Sequence, residues 1–237
     1  MLRMSKIAKI YRTEYVETHA LRNFSLEVKA GEFIAVMGPS GSGKTTFLNV
    51  AGLLETFDSG SYELDGRDVR SLSDDARSEL RNQLIGFVFQ GFNLLPDLDI
   101  YDNIDVPLRY RGMKREERRG RIAGVLDLVG LGGRAKHMPS QLSGGQQQRA
   151  AIARALVGKP AFLLADEPTG NLDSAMAGQV MDLLAQINAG GTTIVLVTHD
   201  PEVSRRAGRV VSVVDGELSH VSGPISSTAP RVTSALA

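Results

Sequence analysis

The chain has 237 residues, enough for one large domain or two small ones with a substantial core. Apolar residues make up 42% and charged ones 23%, as in ordinary globular proteins, and 27 basic side chains balance 27 acidic ones, so no positive excess points to a nucleic-acid partner. The absence of cysteine excludes disulfides, zinc–cysteine sites and thiol catalysis, and fits a reducing compartment.

The N-terminal stretch MLRMSKIAKIYRTEY is interrupted by charges and lacks the apolar centre of a signal peptide. No run approaches the roughly 20 apolar residues that span a bilayer. The expectation is a chain soluble by itself and cytoplasmic, whose membrane role, if it has one, needs a spanning partner. Residues 24–38, FSLEVKAGEFIAVMG, alternate and then turn continuously apolar, which predicts a half-exposed strand, a turn at Ala30-Gly31 and a buried strand. Buried strands are also predicted at Ile85–Phe89, Ala161–Asp166 and Thr193–Thr198, and VVSVV (Val210–Val214) has strand length. Helical patterns cover Lys44–Leu54, Ser73–Asn82, Gly144–Val157 and Ser174–Asn188. Buried strands alternating with helices imply an α/β fold with a mostly parallel sheet covered on both faces.

Residues 91–142 differ: they hold helical segments near Ile100–Tyr110 and Arg115–Val129 and no convincing strand, and read as a helical lobe inserted into the core. Within them RYRGMKREERRGR (Arg109–Arg121) carries seven basic and two acidic residues. A solvated helix with its preceding loop is the favoured reading, a phosphate or lipid-headgroup patch the alternative. The tail from Ser219 to Ala237 is rich in Ser and Pro and is expected to be flexible.

The chemistry concentrates in two glycine loops. GPSGSGKT (Gly38–Thr45) fits G-x-x-x-x-G-K-[ST] after a buried strand and at the start of a helix, where glycines turn backbone N–H groups toward phosphates. Lys44 can reach the β- and γ-phosphates, and the Thr45 hydroxyl can ligate Mg²⁺. FLLADEP (Phe162–Pro168) is a buried strand ending in two carboxylates: Asp166 can hold Mg²⁺ through a water, and Glu167 can polarise an attacking water. Gln90 ends the strand IGFVFQ, where its amide can touch Mg²⁺ or that water. His199 ends TIVLVTH, where its imidazole can bond a γ-phosphate; ligands gather at such strand ends. A lone Gln or His is more often structural, so position carries both assignments.

The second loop, Ser143-Gly144-Gly145-Gln146, has the pattern of a capping box and leaves glycine N–H groups open at a helix N-terminus, without a lysine. A nucleotide has one γ-phosphate, already cradled by the first loop. The second is therefore expected to serve a nucleotide held by another copy of the chain.

These pieces, in this order, resemble the ATP-binding cassette family: GPSGSGKT, Gln90, LSGGQ (Leu142–Gln146), FLLADE, NLD (Asn171–Asp173) and His199, over about residues 4–218. The resemblance implies a P-loop NTPase fold with a RecA-like core (1–90 and 143–218), a small antiparallel β part and a helical lobe (91–142). It implies ATP and Mg²⁺ as cofactors, Tyr11 stacked on adenine, and nucleotide contacts from Gly38, Pro39, Ser40, Gly41, Ser42, Gly43, Lys44, Thr45 and Thr46. Ser143, Gly144, Gly145 and Gln146 then complete the site of a head-to-tail homodimer partner. The stretches GFVFQGFNLLPDLDIYDNIDVPL, QLSGGQQQRAAIARALVGKP and LLADEPTGNLD look like the lipoprotein-release, macrolide-export and cell-division group of bacterial cassettes. That likeness implies a permease with a periplasmic domain, fused in some members and expected here on a separate chain because this one ends after the tail, and a place on the inner face of the bacterial inner membrane. The apolar stretch after Gln90 reads either as a groove for a permease helix or as core of the lobe. A soluble ABC ATPase acting on DNA or in translation is the alternative; it lacks support from a coiled coil, a second cassette or a basic charge. A P-loop kinase leaves LSGGQ unexplained.

Overall fold

The computed structural model describes residues 1–223; most of the expected flexible tail lies outside the described residues. In chain order the elements are β1 (Leu2–Arg12), β2 (Glu17–Val28), β3 (Phe33–Met37), α1 (Lys44–Ala51), β4 (Ser59–Leu64), β5 (Arg67–Asp68), α2 (Asp74–Leu84) and β6 (Ile85–Phe89). There follow α3 (Ile100–Tyr110), α4 (Arg115–Leu128), α5 (Gly144–Leu156), β7 (Phe162–Asp166), α6 (Ser174–Ala189), β8 (Thr193–Val197), a short α7 (Pro201–Ser204), β9 (Arg209–Val214) and β10 (Glu217–Ser222).

Two sheets result. An antiparallel one has the order β2-β1-β4-β5, and a larger one the order β10-β9-β3-β8-β7-β6, parallel throughout except for β10 on β9. The predicted alternation and turn around Ala30-Gly31 appear as β2 and β3, with Gly31 in the left-handed region at φ 76°. β1 escapes a period-2 reading because its burial slips: Leu2 and Met4 are buried two apart, but the next inward residue is Ile7. Lys6, left-handed at φ 51°, supplies the bulge that shifts the phase. β10 escapes because no residue in it is buried, and it takes up Ser219–Ser222, where the sequence suggested that a tail had begun.

Side chains of the larger sheet alternate between two apolar layers. Ala35, Val88, Leu163, Ala165, Ile194 and Leu196 face α5, α6 and the α3–α4 pair, whereas Ile34, Val36, Leu164, Val195 and Val197 face α1 and the antiparallel sheet. The central strands β3, β8 and β7 are therefore buried on both faces, as continuous apolar sequence demands. Residues 91–142 contain helices and no strand. Asp105, almost wholly buried on α3, ties α4 to α3 through Arg118, and its Oδ2 accepts from Arg109 Nε of its own helix at 2.7 Å. Arg118 Nε lies 2.8 Å from Oδ1, off the hydrogen-bond axis, so that contact is ionic. Arg121 pairs with Glu117, and Arg111 donates to the carbonyls of Gly158 and Asn82. Four members of the basic run are thus spent within the chain, which favours a solvated helix over a headgroup patch.

Candidate functional site

The first glycine loop leaves the C-terminal end of β3 and enters α1. Gly41 and Gly43 are left-handed, at φ 78° and 102°. A Cβ on Gly43 would lie 2.4 Å from the Ala20 carbonyl oxygen, and one on Gly38 would lie 2.2 Å from that of Val213. The loop is therefore pressed between β2 and β9, and no larger residue fits at either point. Lys44 Nζ donates to the carbonyls of Gly38 (2.8 Å) and Pro39 (2.7 Å), which folds the ammonium over the loop. Ser42 Oγ is buried without a hydrogen-bond partner, an unmet polar atom inside the cradle.

Beside this loop is a cleft of about 490 Å³, walled by Tyr11, Ala20, Gly41, Thr45, Thr46 and Gly216. Tyr11, expected beside the base, does reach this wall. Its hydroxyl donates to Glu55 Oε2 at 2.6 Å, and Lys9 pairs with the same carboxylate at 3.1 Å. Burial and the Glu55 hydrogen bond raise the Tyr11 pKa, so the ring stays neutral. Glu55 carries no signal in the sequence, because its partner lies 44 residues away.

β7 delivers Asp166 and Glu167 to the same sheet edge. Burial raises the Asp166 pKa above the ordinary aspartate range; the Glu167 carboxylate adds to this and Lys44 opposes it. Glu167 is left-handed at φ 45°, so it breaks from the strand and turns its carboxylate sideways. Three donors meet it: Thr198 Oγ1 at 3.1 Å on Oε2, and the His199 backbone N–H at 2.9 Å and ring Nδ1 at 2.7 Å on Oε1. His199, expected to face a phosphate, here faces the candidate base. Thr198 was not anticipated, since a threonine beside a histidine has no pattern of its own.

Gln90 stands one residue beyond the end of β6 rather than within it. Its Nε2 donates to Asn171 Oδ1 at 3.2 Å, and Asn171 Nδ2 returns a bond of 3.0 Å to the Gln90 carbonyl. Gly170 admits this pairing, for a Cβ there would lie 2.6 Å from Gln90 Nε2. NLD thus grips the candidate metal and water ligand directly.

No cluster of three or more His, Asp or Glu able to hold a metal occurs among the described residues. Mg²⁺ takes oxygen ligands, a few from protein and the rest from water and phosphate. Thr45, Gln90 and Asp166 are donors of that hard, oxygen-bearing kind.

Ser143 caps α5 by a complete capping box: its Oγ accepts from Gln146 N at 3.4 Å, and Gln146 Oε1 accepts from Ser143 N at 3.0 Å. Gly145 is needed for packing as well, since a Cβ there would lie 3.0 Å from Met176 Sδ on α6. α5 belongs to the apolar layer opposite that of α1. The two glycine loops therefore flank one sheet edge from opposite faces, and this chain does not bring them together.

A buried strand, a left-handed glycine loop opening a helix, and a carboxylate at the end of β7, separated from β3 by β8 alone, define a P-loop nucleotide-binding protein. A family model described as ABC transporter matches residues 21–170. The chain belongs to the ABC transporter family, as an ATP-binding domain of the ABC ATPase class. It is similar to the uncharacterized ABC transporter ATP-binding protein YvrO of Bacillus subtilis (strain 168), 48% identical over 218 residues that cover 92% of this chain and 95% of that one. It is 47% identical over 238 residues to MacB of Syntrophobacter fumaroxidans, named as a macrolide export ATP-binding/permease protein; that match covers 99% of this chain and 33% of MacB. The dimeric structure of MJ0796, a bacterial ABC transporter cassette, superposes with a TM-score of 0.86 at 42% identity, covering 94% of this chain and 98% of that one. A dimeric post-hydrolysis state of the same cassette, bound to ADP and Pi, superposes with the same score. No helix among the described residues is long and apolar enough to cross a membrane.

Proposed function

We propose that this chain is the ATP-hydrolysing subunit of a bacterial transporter of the MacB and lipoprotein-release type, acting as a homodimer on a separate membrane permease. In each site Lys44, Thr45, Gln90, Asp166, Glu167 and His199 come from one chain, and Ser143 and Gly145 from the other. One observation carries this reading: α1 and α5 lie in different apolar layers, with the sheet between them, and the cleft beside the first loop takes no wall from Ser143–Gln146. The dimeric MJ0796 cassette supports it. Mg²⁺, held by Thr45, Gln90 and Asp166, would neutralise charge on the phosphates, while Glu167 draws a proton from the attacking water. His199, now on the Glu167 carboxylate, is placed to exchange that bond for one to the γ-phosphate.

The permease is assigned a groove of about 970 Å³ at the open edge of β6, between α2 and the α3–α5 pair. Phe87, Phe89, Val106 and Pro107 line it, and Tyr110, 84% exposed, stands at its rim. Its apolar floor and polar rim suit an amphipathic helix. The ATP-binding/permease relatives support a membrane partner, and the domain would then sit on the cytoplasmic face of the inner membrane.

The test of the site is Glu167→Gln, which keeps shape and removes the base. With Mg²⁺ and ATP it is expected to elute as a dimer in size exclusion, while turnover falls by about a hundredfold or more. Turnover at the wild-type rate would remove Glu167 from the role of base.

A further inference from the structure

The two-chain site makes no use of one guanidinium on α5. Arg154 sends Nη2 to the Phe92 carbonyl at 2.9 Å and Nη1 to the Asn93 carbonyl. Its hydrogen bonds among the described residues go to these carbonyls alone. Both acceptors lie on consecutive left-handed residues, Phe92 at φ 61° and Asn93 at φ 49°, a conformation side-chain-bearing residues keep only where their surroundings impose it. The same segment meets the other end of α5: a Cβ on Gly144 would lie 3.7 Å from the Phe92 ring. The loop that follows Gln90 is thus fastened to α5 near Gly144 and again at Arg154, positions about 15 Å apart along a helix rising 1.5 Å per residue.

We propose that Arg154 is a positioning residue that makes α5 a rigid link between Ser143 at its N-cap and the Gln90 loop. The inference rests on the two-chain site: when Ser143 engages the partner's nucleotide, α5 carries that displacement to Gln90 of its own chain, which serves its own nucleotide. Two N–H groups on one planar fork hold two successive carbonyls together, which a lysine ammonium cannot do with the same fixed geometry.

The experiment is a double-mutant cycle in the intact chain with Mg²⁺ and ATP, comparing Arg154→Lys, Gln90→Ala and the double variant. Arg154→Lys is expected to lower kcat by about ten- to a hundredfold, the cost of a misplaced group, with KM for ATP within about twofold of wild type. The double variant is expected to turn over no more slowly than Gln90→Ala alone, since both act through one group. Wild-type kcat in Arg154→Lys, or losses that multiply in the double variant, overturns the proposal. If Arg154→Lys proves poorly folded by circular dichroism, Asn93→Val carries the test, because a β-branched residue resists the left-handed conformation at this exposed loop position. It is expected to reproduce the kcat loss with the fold intact, and wild-type turnover there also overturns the proposal. Ser143→Ala serves as the reference: if it turns over like wild type, the two-chain site itself fails, whereas multiplying losses beside an impaired Ser143→Ala refute only the role of Arg154.

Discussion

Asp166 illustrates how the site holds a charge that its surroundings resist. Its pKa is raised because burial and the neighbouring Glu167 both penalise the carboxylate. A carboxyl whose pKa is higher folded than unfolded binds its proton more tightly in the fold. Stability is therefore full below the unfolded pKa and lost as pH rises through the folded one. Asp166→Asn removes that penalty at neutral pH. It is expected to raise the melting temperature of the nucleotide-free chain, by about 2–4 °C for each kcal/mol relieved, while Mg²⁺-dependent turnover falls. The gain should vanish as pH drops below the raised pKa, and a variant that melts lower than wild type at pH 7 would contradict the assigned cause. Asp166 and Glu167 were legible in the sequence because they adjoin at the end of an apolar run. The residues that meet them were less so. Thr198 bonds Glu167 across 31 positions, and Asn171 bonds Gln90 across 81, separations at which sequence pattern carries no geometry.

At the scale of elements, the helices and buried strands could be read from caps and periodicity. Ser73, Asp99, Ser143 and Asp173 all accept from backbone N–H groups at helix starts. What could not be read was β1, whose phase shifts at Lys6, and the paired edge β4–β5, of which β5 has two residues. The clasp between α3 and α4 was hidden inside a run that looked merely basic. Asp105→Ala is expected to cost about 3 kcal/mol, near the lower end for a broken buried pair because Arg118 is still 20% exposed. Thermal melting would register a fall of roughly 6–12 °C in a chain of this size. An unchanged melting temperature would mean that the clasp is dispensable and that apolar packing alone holds α4.

For the whole molecule, the division of the site between chains can be tested by mixing. Lys44→Ala spoils the first glycine loop, and Ser143→Ala the second. In a mixed dimer one site carries both defects, but the other joins an intact Lys44 to an intact Ser143. Two inactive preparations are therefore expected to regain turnover when combined, approaching about a quarter of wild type for random pairing, since half the dimers carry one sound site. No recovery on mixing would place both loops in service of the same chain. The groove proposed for the permease was not legible, since the apolar stretch after Gln90 gives it Asn93 alone; the open edge of β6 that forms its floor depends on strand order, which local sequence does not encode.

The arrangement of the two loops on opposite faces of one sheet edge has a consequence for assembly. A surface bearing a plug on one side and a socket on the other ordinarily builds an open chain of subunits, each leaving a free end. Here both helices open toward the same edge, so a half-turn about an axis beyond that edge sets each plug in the other's socket at once. In the proposed dimer, association then stops at two with nothing left over. If the site is split between chains as proposed, the same geometry that splits it also spares the cell a filament.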